Sequence, residues 1–455
     1  MYRFKLLIST VLAFGAILLS APGAQATASF SRQTGMSCNT CHTTFPELTA
    51  FGRDFKLNGY TLSAAKEITD KGDKKNAGLS ILEALPFSIN IKAAYTATGN
   101  RQPDTRNNNI EFPQQVNFWY AGKITDHIGS YTQMTYGVQA NHFGFDNSDF
   151  FRYSRSTKLG GKSFVWGIDA NNDPTFEDLW ASTPAYGFPW AAPDAIVPTN
   201  AAALIDNSLG GDVLGLGGYG MWNDHLYGNV TLYRTQHIGG SQPANGVGFA
   251  HNIKGAAPYW RFAWQGGKGN NFLELGTYGM YAKSFPGTLS PDQTSVISGP
   301  TDNYTDAAVD LSYERKVGKV DLFVVHSTFI YEKQDLNASF QAGVAGRTAH
   351  DLRTFRLDAD YHFGTKYTLL AGPFITTGTT DSVLYAPAAV TGSANGSPKN
   401  SGAVAQFAYW PMQNIEFGLQ YRAYTNFNGA GKNYDGFGRN ASGNNTAYAF
   451  IWFSF

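Results

Sequence analysis

Cysteine occurs twice in this 455-residue chain, and both copies fall in one run, Cys38-Asn39-Thr40-Cys41-His42. Two thiols at that spacing can add to the two vinyl groups of a haem, and the histidine that follows stands where it can bind the iron from one side. A structural zinc site would need a second pair of ligands at short spacing, and the sequence has no further C-x-x-C and no H-x3-H. A redox dithiol belongs at a helix start within βαβ sequence, and nothing downstream reads that way. The motif therefore predicts one covalent haem c, held by Cys38, Cys41 and His42.

The opposite face of the iron is informative by omission. Met36 lies two residues before Cys38, where the backbone restrains it, and no further histidine or methionine follows His42 until His127. The rest of the chain, a water or a weaker side chain must supply any sixth ligand. Met134, His142, Met280 and His362 are the candidates outside the motif segment. Arg32, Arg53 and Lys56 are the cations near the motif that could neutralise haem propionates, Arg53 first because it follows an apolar helical face.

The elements that must position these residues are short. Thr44-Phe45-Pro46-Glu47 has the form of a capping box with proline in the first turn, and Leu48, Phe51 and Phe55 recur on one helical face before Gly59. That face is expected to pack on the haem. The segment is too small to build a core alone and needs the covalent group, a surrounding wall, or both.

Ahead of it lies an export signal. Arg3 and Lys5 precede an apolar run from Leu6 to Leu19, and Ala24-Gln25-Ala26 predicts cleavage after Ala26. Removing Arg3 and Lys5 takes basic against acidic residues from 34 against 34 to 32 against 34. So even a balance gives no footing for nucleic-acid binding. After the signal no apolar stretch is long enough for a transmembrane helix.

Fifty glycines, 25 tyrosines, 33 phenylalanines and only 15% charged residues point instead to strands, turns and aromatic girdles. From Pro86 onward, segments of roughly ten residues alternate in polarity. Phe87, Ile89, Ile91 and Tyr95 alternate with Ser88, Asn90, Lys92 and Thr96. Val116, Phe118 and Tyr120 alternate with Asn117, Trp119 and Lys123. Phe355, Leu357, Ala359, Tyr361 and Phe363 alternate with Arg356, Asp358, Asp360 and His362. In a membrane barrel the apolar set meets lipid and the polar set lines the lumen. Tight turns at Thr125-Asp126-His127, Gly160-Gly161, Asn223-Asp224-His225, Gly267-Lys268-Gly269-Asn270, Val317-Gly318, Gly364-Thr365 and Pro411-Met412-Gln413-Asn414 alternate with long Gly/Asn/Asp/Pro-rich loops. The expected fold is all-β: an outer-membrane antiparallel β-barrel of about sixteen strands with a small N-terminal helical plug. The expected divisions are 1–26 signal peptide, 27–63 haem plug, 64–85 linker and 86–455 transmembrane β-barrel.

The stretch from Phe30-Ser31-Arg32-Gln33-Thr34-Gly35-Met36-Ser37 into the haem motif, continuing through Phe45-Pro46-Glu47-Leu48-Thr49-Ala50-Phe51-Gly52-Arg53-Asp54-Phe55-Lys56-Leu57-Asn58-Gly59-Tyr60, resembles the haem region of the fused outer-membrane monohaem cytochrome-porins of iron-oxidising bacteria. A second likeness runs from Asn171-Asn172-Asp173-Pro174-Thr175 to Thr183-Pro184-Ala185-Tyr186-Gly187-Phe188-Pro189. The family typically has alanine where this chain has Ser31. The resemblance implies a cytochrome held in a porin of the bacterial outer membrane, taking electrons from extracellular Fe(II) and passing them to a periplasmic cytochrome or other carrier. The segment Asp169 to Asp212 is the outer loop expected to fold inward. Its Asp169, Asp173, Glu177 and Asp178 are hard oxygen ligands suited to transient Fe(II), with Asp173, Glu177 and Asp178 as the candidate weak site, and Trp180, Tyr186, Phe188 and Trp190 as staples to the wall. Three function classes stay open: an Fe(II)-oxidising electron-transfer protein, a haem-bearing conduit for another donor or acceptor, and a solute channel with a structural or sensory haem plug.

Overall fold

The computed structural model describes residues 28–43, 47–62, 85–102, 109–138, 141–183, 191–194, 196–206, 209–210, 213–235, 252–286 and 299–455. The expected signal peptide, nearly all of the expected linker, the Thr44-Phe45-Pro46 part of the capping box, and Tyr186, Phe188 and Trp190 lie outside the described residues.

Eighteen strands join in one antiparallel sheet, and two of them are short: β4 (His142–Phe145) and β9 (Asn252–Ile253). The other sixteen form the barrel. They begin with β1 (Phe87–Thr98), β2 (Asn109–Thr125), β3 (Ile128–Gly137), β5 (Asp149–Leu159), β6 (Lys162–Asn171), β7 (Val213–Trp222), β8 (Leu226–Thr235) and β10 (Ala257–Lys268). They continue with β11 (Asn271–Phe285), β12 (Asp302–Val317), β13 (Asp321–Asp335), β14 (Ala349–Phe363), β15 (Tyr367–Gly378), β16 (Asn400–Met412), β17 (Ile415–Asn426) and β18 (Thr446–Ser454). Closure comes from β1, which pairs with β2 on one side and β18 on the other, from Asn90↔Ser454 to Thr98↔Thr446. A closed sheet leaves no edge whose amides would face hydrocarbon unpaired, which is why a barrel can cross a bilayer.

Side chains sort by strand parity as an outer-membrane barrel requires. Phe87 and Tyr95 face outward while Ser88, Asn90 and Lys92 between them are buried toward the lumen. On β14, Phe363 is exposed and Asp360 and His362 are buried. Leu214, Leu216, Val230, Leu232, Phe262 and Leu419 extend the apolar outer band. The strands β11 to β14, at 15 or 16 residues each, exceed the roughly 9–11 needed to cross hydrocarbon and so project beyond it. All seven expected tight turns connect neighbouring strands at one end. At Gly160-Gly161 both residues have positive φ, 61° and 79°, the left-handed geometry that lets a two-residue turn follow strand twist. No helix among the described residues is long and apolar enough to cross a membrane, and the crossing is made by strands.

Among the described residues, three short helices precede the barrel: α1 (Ala28–Thr34), α2 (Cys38–Cys41) and α3 (Ala50–Leu57). They lie against lumen-facing groups of the wall. Gln33 donates to the Ala121 carbonyl at 2.8 Å, Tyr60 to Asp149 at 2.9 Å, and the Tyr219 hydroxyl to the Leu57 carbonyl at 3.0 Å. The loop between β6 and β7 is folded inward as well. Trp180 donates to Gln265 of β10 at 2.9 Å, the Leu204 amide to Glu332 of β13 at 2.6 Å, and Ala191 accepts from Gln420 of β17 at 2.9 Å. One apolar cluster joins the helices, the loop and the wall: Leu57, Leu179, Trp180, Tyr219, Met221, Tyr227 and Ala263.

Candidate functional site

The single turn of α2 puts Cys38 and Cys41 on one side, since residues three apart share a helical face. His42 closes the turn, its amide donating to the Cys38 carbonyl at 2.9 Å. The chain then doubles back, with an isolated bridge between His42 and Leu48. Nδ1 of His42 lies 3.1 Å from the Glu47 carbonyl oxygen. That hydrogen bond fixes the ring and makes Nε2 the nitrogen that could take a metal, the arrangement a ligating imidazole uses.

The helix α3 is seated directly on this turn. Thr49 caps it, accepting from the Gly52 amide at 3.2 Å, and its own hydroxyl donates to the Thr40 carbonyl at 2.6 Å. The helix therefore starts after Thr49 rather than at the Thr44 box, and Glu47 lies ahead of it. Gly52 has a strict reason: a Cβ there would stand 2.2 Å from the Cys41 carbonyl oxygen. Ser31, the departure from the family pattern, donates its hydroxyl to the Met36 carbonyl and so ties α1 to the approach to Cys38.

Beside the motif is a cavity of about 210 Å³ lined by Cys38, Asn39, His42, Thr43, Thr365, Lys366, Trp410, Pro411, Met412 and Gln413. Thr365 and Lys366 belong to the tight β14–β15 turn, Pro411 and Met412 end β16 and Gln413 opens the β16–β17 turn, so the motif faces the short-turn mouth of the barrel. Gln413 accepts from the Cys38 amide at 3.0 Å. Burial, then the neighbouring Cys38, pushes the Cys41 thiol up to about 11. Two unlinked thiols, an oriented imidazole and an open cavity with a cation and a thioether at its rim fit a covalent haem.

The residues proposed from sequence to surround the group are dispersed. Arg53 is buried, pairs with Glu314 of β12, donates to the Leu48 carbonyl at 2.9 Å and lies 4.5 Å over the Phe272 ring, and it does not line the cavity. Arg32 donates to the Phe87 carbonyl. Lys56 donates to the Asp178 carbonyl at 2.8 Å, and burial, with Arg152 next, lowers its ammonium to about 8. Lys366, which sequence reading passed over, is the cation on the cavity. Phe55 packs on Phe30 and Tyr60, ring centroids 5.0 and 6.1 Å away, so that ring is engaged within the N-terminal segment, where Phe30 and Tyr60 in turn meet Tyr131 of β3.

Among the candidate sixth ligands, Met134 faces outward from the wall and Met280 is enclosed in a core with Tyr233, Tyr259 and Tyr278. His362 points into the lumen toward Glu47, its Nε2 3.4 Å from Oε2. Met412 alone of the described methionines and histidines joins His42 on the cavity lining. It ends β16, and only the closing of the barrel over the motif brings them together.

Asp173, Glu177 and Asp178 do not converge. Glu177 is 3.7 Å from Arg152 and accepts from Asn171 and Asn229 at 2.8 Å each and from Thr231 at 2.9 Å. Asp178 is 3.3 Å from Arg261 and accepts from the Trp180 and Thr183 amides at 2.8 and 2.9 Å. Burial pushes the Glu177 carboxyl well up, with Asp169 adding to it, whereas for Asp178 burial is opposed by the Arg261 charge, the Thr183 and Trp180 amides and Lys56, which together lower it. The loop carboxylates hold the loop to the wall.

No protein-family model matches the chain, and no curated protein matches it in sequence. Solved structures with a similar course include OmpT, an outer-membrane protein of Vibrio cholerae, at 10% identity and a TM-score of 0.43 over 81% of this chain and 96% of that one. The outer-membrane channel DcaP of Acinetobacter baumannii gives 11% and 0.44 over 84% and 99%. The anion-selective porin from Comamonas acidovorans gives 11% and 0.41 over 81% and 98%.

Proposed function

We propose that this outer-membrane barrel is an electron-transfer protein: Cys38, Cys41 and His42 hold one haem c, extracellular Fe(II) is the donor, and a periplasmic cytochrome or another carrier is the acceptor. A haem so held supplies a one-electron couple. The observation that carries the reading is the His42 ring, oriented by the Glu47 carbonyl at 3.1 Å and opening on a cavity at the short-turn mouth. The chain's own part is to present the two thiols on one turn, to hold the imidazole in one tautomer, to offer Met412 to the opposite face and Lys366 to a carboxylate at the rim, and to surround the group with an insulating wall. Short turns mark the periplasmic end of an outer-membrane barrel, so an acceptor in that compartment meets the motif from its open side.

Anaerobic stopped flow with the full protein in detergent tests the proposal. Reduction of the haem by Fe(II), lost in Cys38→Ala and His42→Ala while the barrel stays folded, is the expected result. Reduction by other donors but not by Fe(II) would replace iron with another donor. A redox-silent haem in a conducting barrel would overturn electron transfer in favour of a solute channel.

A further inference from the structure

One cluster of buried ligands lies outside the haem-binding motif. Glu47 comes from the N-terminal segment, His326 from β13, and Asp360 and His362 from β14. One ligand atom each of Glu47, His326 and Asp360 lies within 4.8 Å of the others, and all three side chains are buried. His326 Nδ1 is 3.5 Å from Glu47 Oε1, and His362 Nε2 is 3.4 Å from Glu47 Oε2. These four come from three stretches of sequence and meet only because the N-terminal segment lies inside the barrel.

The cluster is poorly satisfied as a purely protein arrangement. Asp360 is fully buried, and neither carboxylate oxygen receives a hydrogen bond. Oε1 of Glu47 and Nε2 of His362 also lack hydrogen-bond partners. A buried carboxylate without donors costs several kcal/mol unless a cation compensates it. The outer nitrogen of His362, by contrast, is held: its Nδ1 is 3.0 Å from the Thr368 hydroxyl. Nδ1 of His326 lies between Asp358 at 3.0 Å and Glu47 Oε1 at 3.5 Å. An oriented ring beside unsatisfied buried carboxylates is the pattern of a metal site with part of its outer shell in place.

We propose that Glu47, His326, Asp360 and His362 bind one divalent first-row transition cation at the junction of the N-terminal segment and the barrel wall. Two imidazoles and two carboxylates suit Fe(II), Mn(II), Co(II) and Zn(II), and two carboxylates neutralise the charge of a divalent ion in the interior. The position deepens the proposed function and, for iron, rests on it. Glu47 supplies its side chain to the cation and its carbonyl to His42 Nδ1, so one residue and one hydrogen bond connect the two centres. Were a ferric haem held on His42, Fe(II) bound by these residues would be a one-electron donor to it, leaving as Fe(III) with no bond made or broken between them.

Anaerobic titration of the detergent-solubilised full protein with Co(II), read by its visible ligand-field bands, tests the site without using haem chemistry. One Co(II) per chain is expected, with affinity lowered at least 10-fold in Asp360→Asn and in His362→Gln, and roughly 10- to 100-fold in Thr368→Val, which removes only an orienting partner. Unchanged haem absorbance and heat-modifiable gel migration report that each variant is folded. No Co(II) uptake, or uptake indifferent to all three variants, would overturn the proposal and leave Glu47 and Asp360 as a proton-sharing carboxyl pair. Co(II) binding lost in the variants, together with a wild-type haem that Fe(II) never reduces, supports the site and defeats iron oxidation. Fe(II) reduction that proceeds equally in wild type and variants defeats the site's role as the point of iron entry and leaves electron transfer standing.

Discussion

Around the Cys38–His42 motif, single residues divide into those that sequence could reveal and those that only the closed barrel could. Cys38, Cys41 and His42 are contiguous, and their chemistry is local, so spacing was enough. Met412 and Lys366 were hidden because they are distant residues with no pattern of their own; the cavity beside His42 is what singles them out. The proposed role of Met412 as a second iron ligand makes a direct prediction. In Met412→Ala the ferric protein should lose the long-wavelength sulfur-to-iron band, and its potential should fall by a sizeable part of the roughly 0.8 V that axial ligands span. Met134→Ala, on the lipid face, should change neither. Equal spectra and potentials in wild type and Met412→Ala would show that another group, or water, occupies that position.

At the scale of elements, strands and turns were legible because each obeys a short-range rule. Side chains alternate with period two, and Gly160-Gly161 or Asn223-Asp224 carry the positive φ a tight turn demands. The start of α3 was misread, since Thr44 and Thr49 are both plausible caps and only packing on Cys41 selects Thr49. The role of Glu47 was equally hidden: its histidine partners are contributed by β13 and β14, and no local rule links them to it. The inward course of the loop after β6 was anticipated from its length, but its carboxylates were read as iron ligands when Arg152 and Arg261 engage two of them. The contact of α3 with the motif gives the prediction at this scale. Gly52→Ala must drive a methyl group against the Cys41 carbonyl, an overpacking worth about 1–3 kcal/mol, and should lower haem content per barrel and speed proteolysis between the motif and the helix. Gly144→Ala, where a Cβ meets nothing within 4 Å, is the matched control. Normal haem content in Gly52→Ala would mean the helix can lift from the turn without consequence.

Taken whole, the molecule combines a wall that could enclose a water channel with contents that obstruct one. A barrel of sixteen strands leaves an aqueous lumen unless something fills it. Here α3 reaches Tyr219 and Glu314 on the wall, Tyr60 just beyond it reaches Asp149, and the loop after β6 reaches β10, β13 and β17. Leu57, Leu179 and Trp180 meet in the same apolar cluster, which resists hydration and passage of ions alike. An electron conductor needs the interior occupied, whereas a solute channel needs it open, so conductance separates the two functions at the level of the whole fold. In planar bilayers the full protein should show unitary conductance several-fold below that of an open sixteen-stranded porin. A variant lacking residues 28–62 should still close, because β1 pairs with β2 and β18 through residues from Phe87 onward, and its conductance should rise several-fold. A wild-type channel as conductive as the shortened one would mean that ions pass around the N-terminal segment, and the barrel would then be working as a pore.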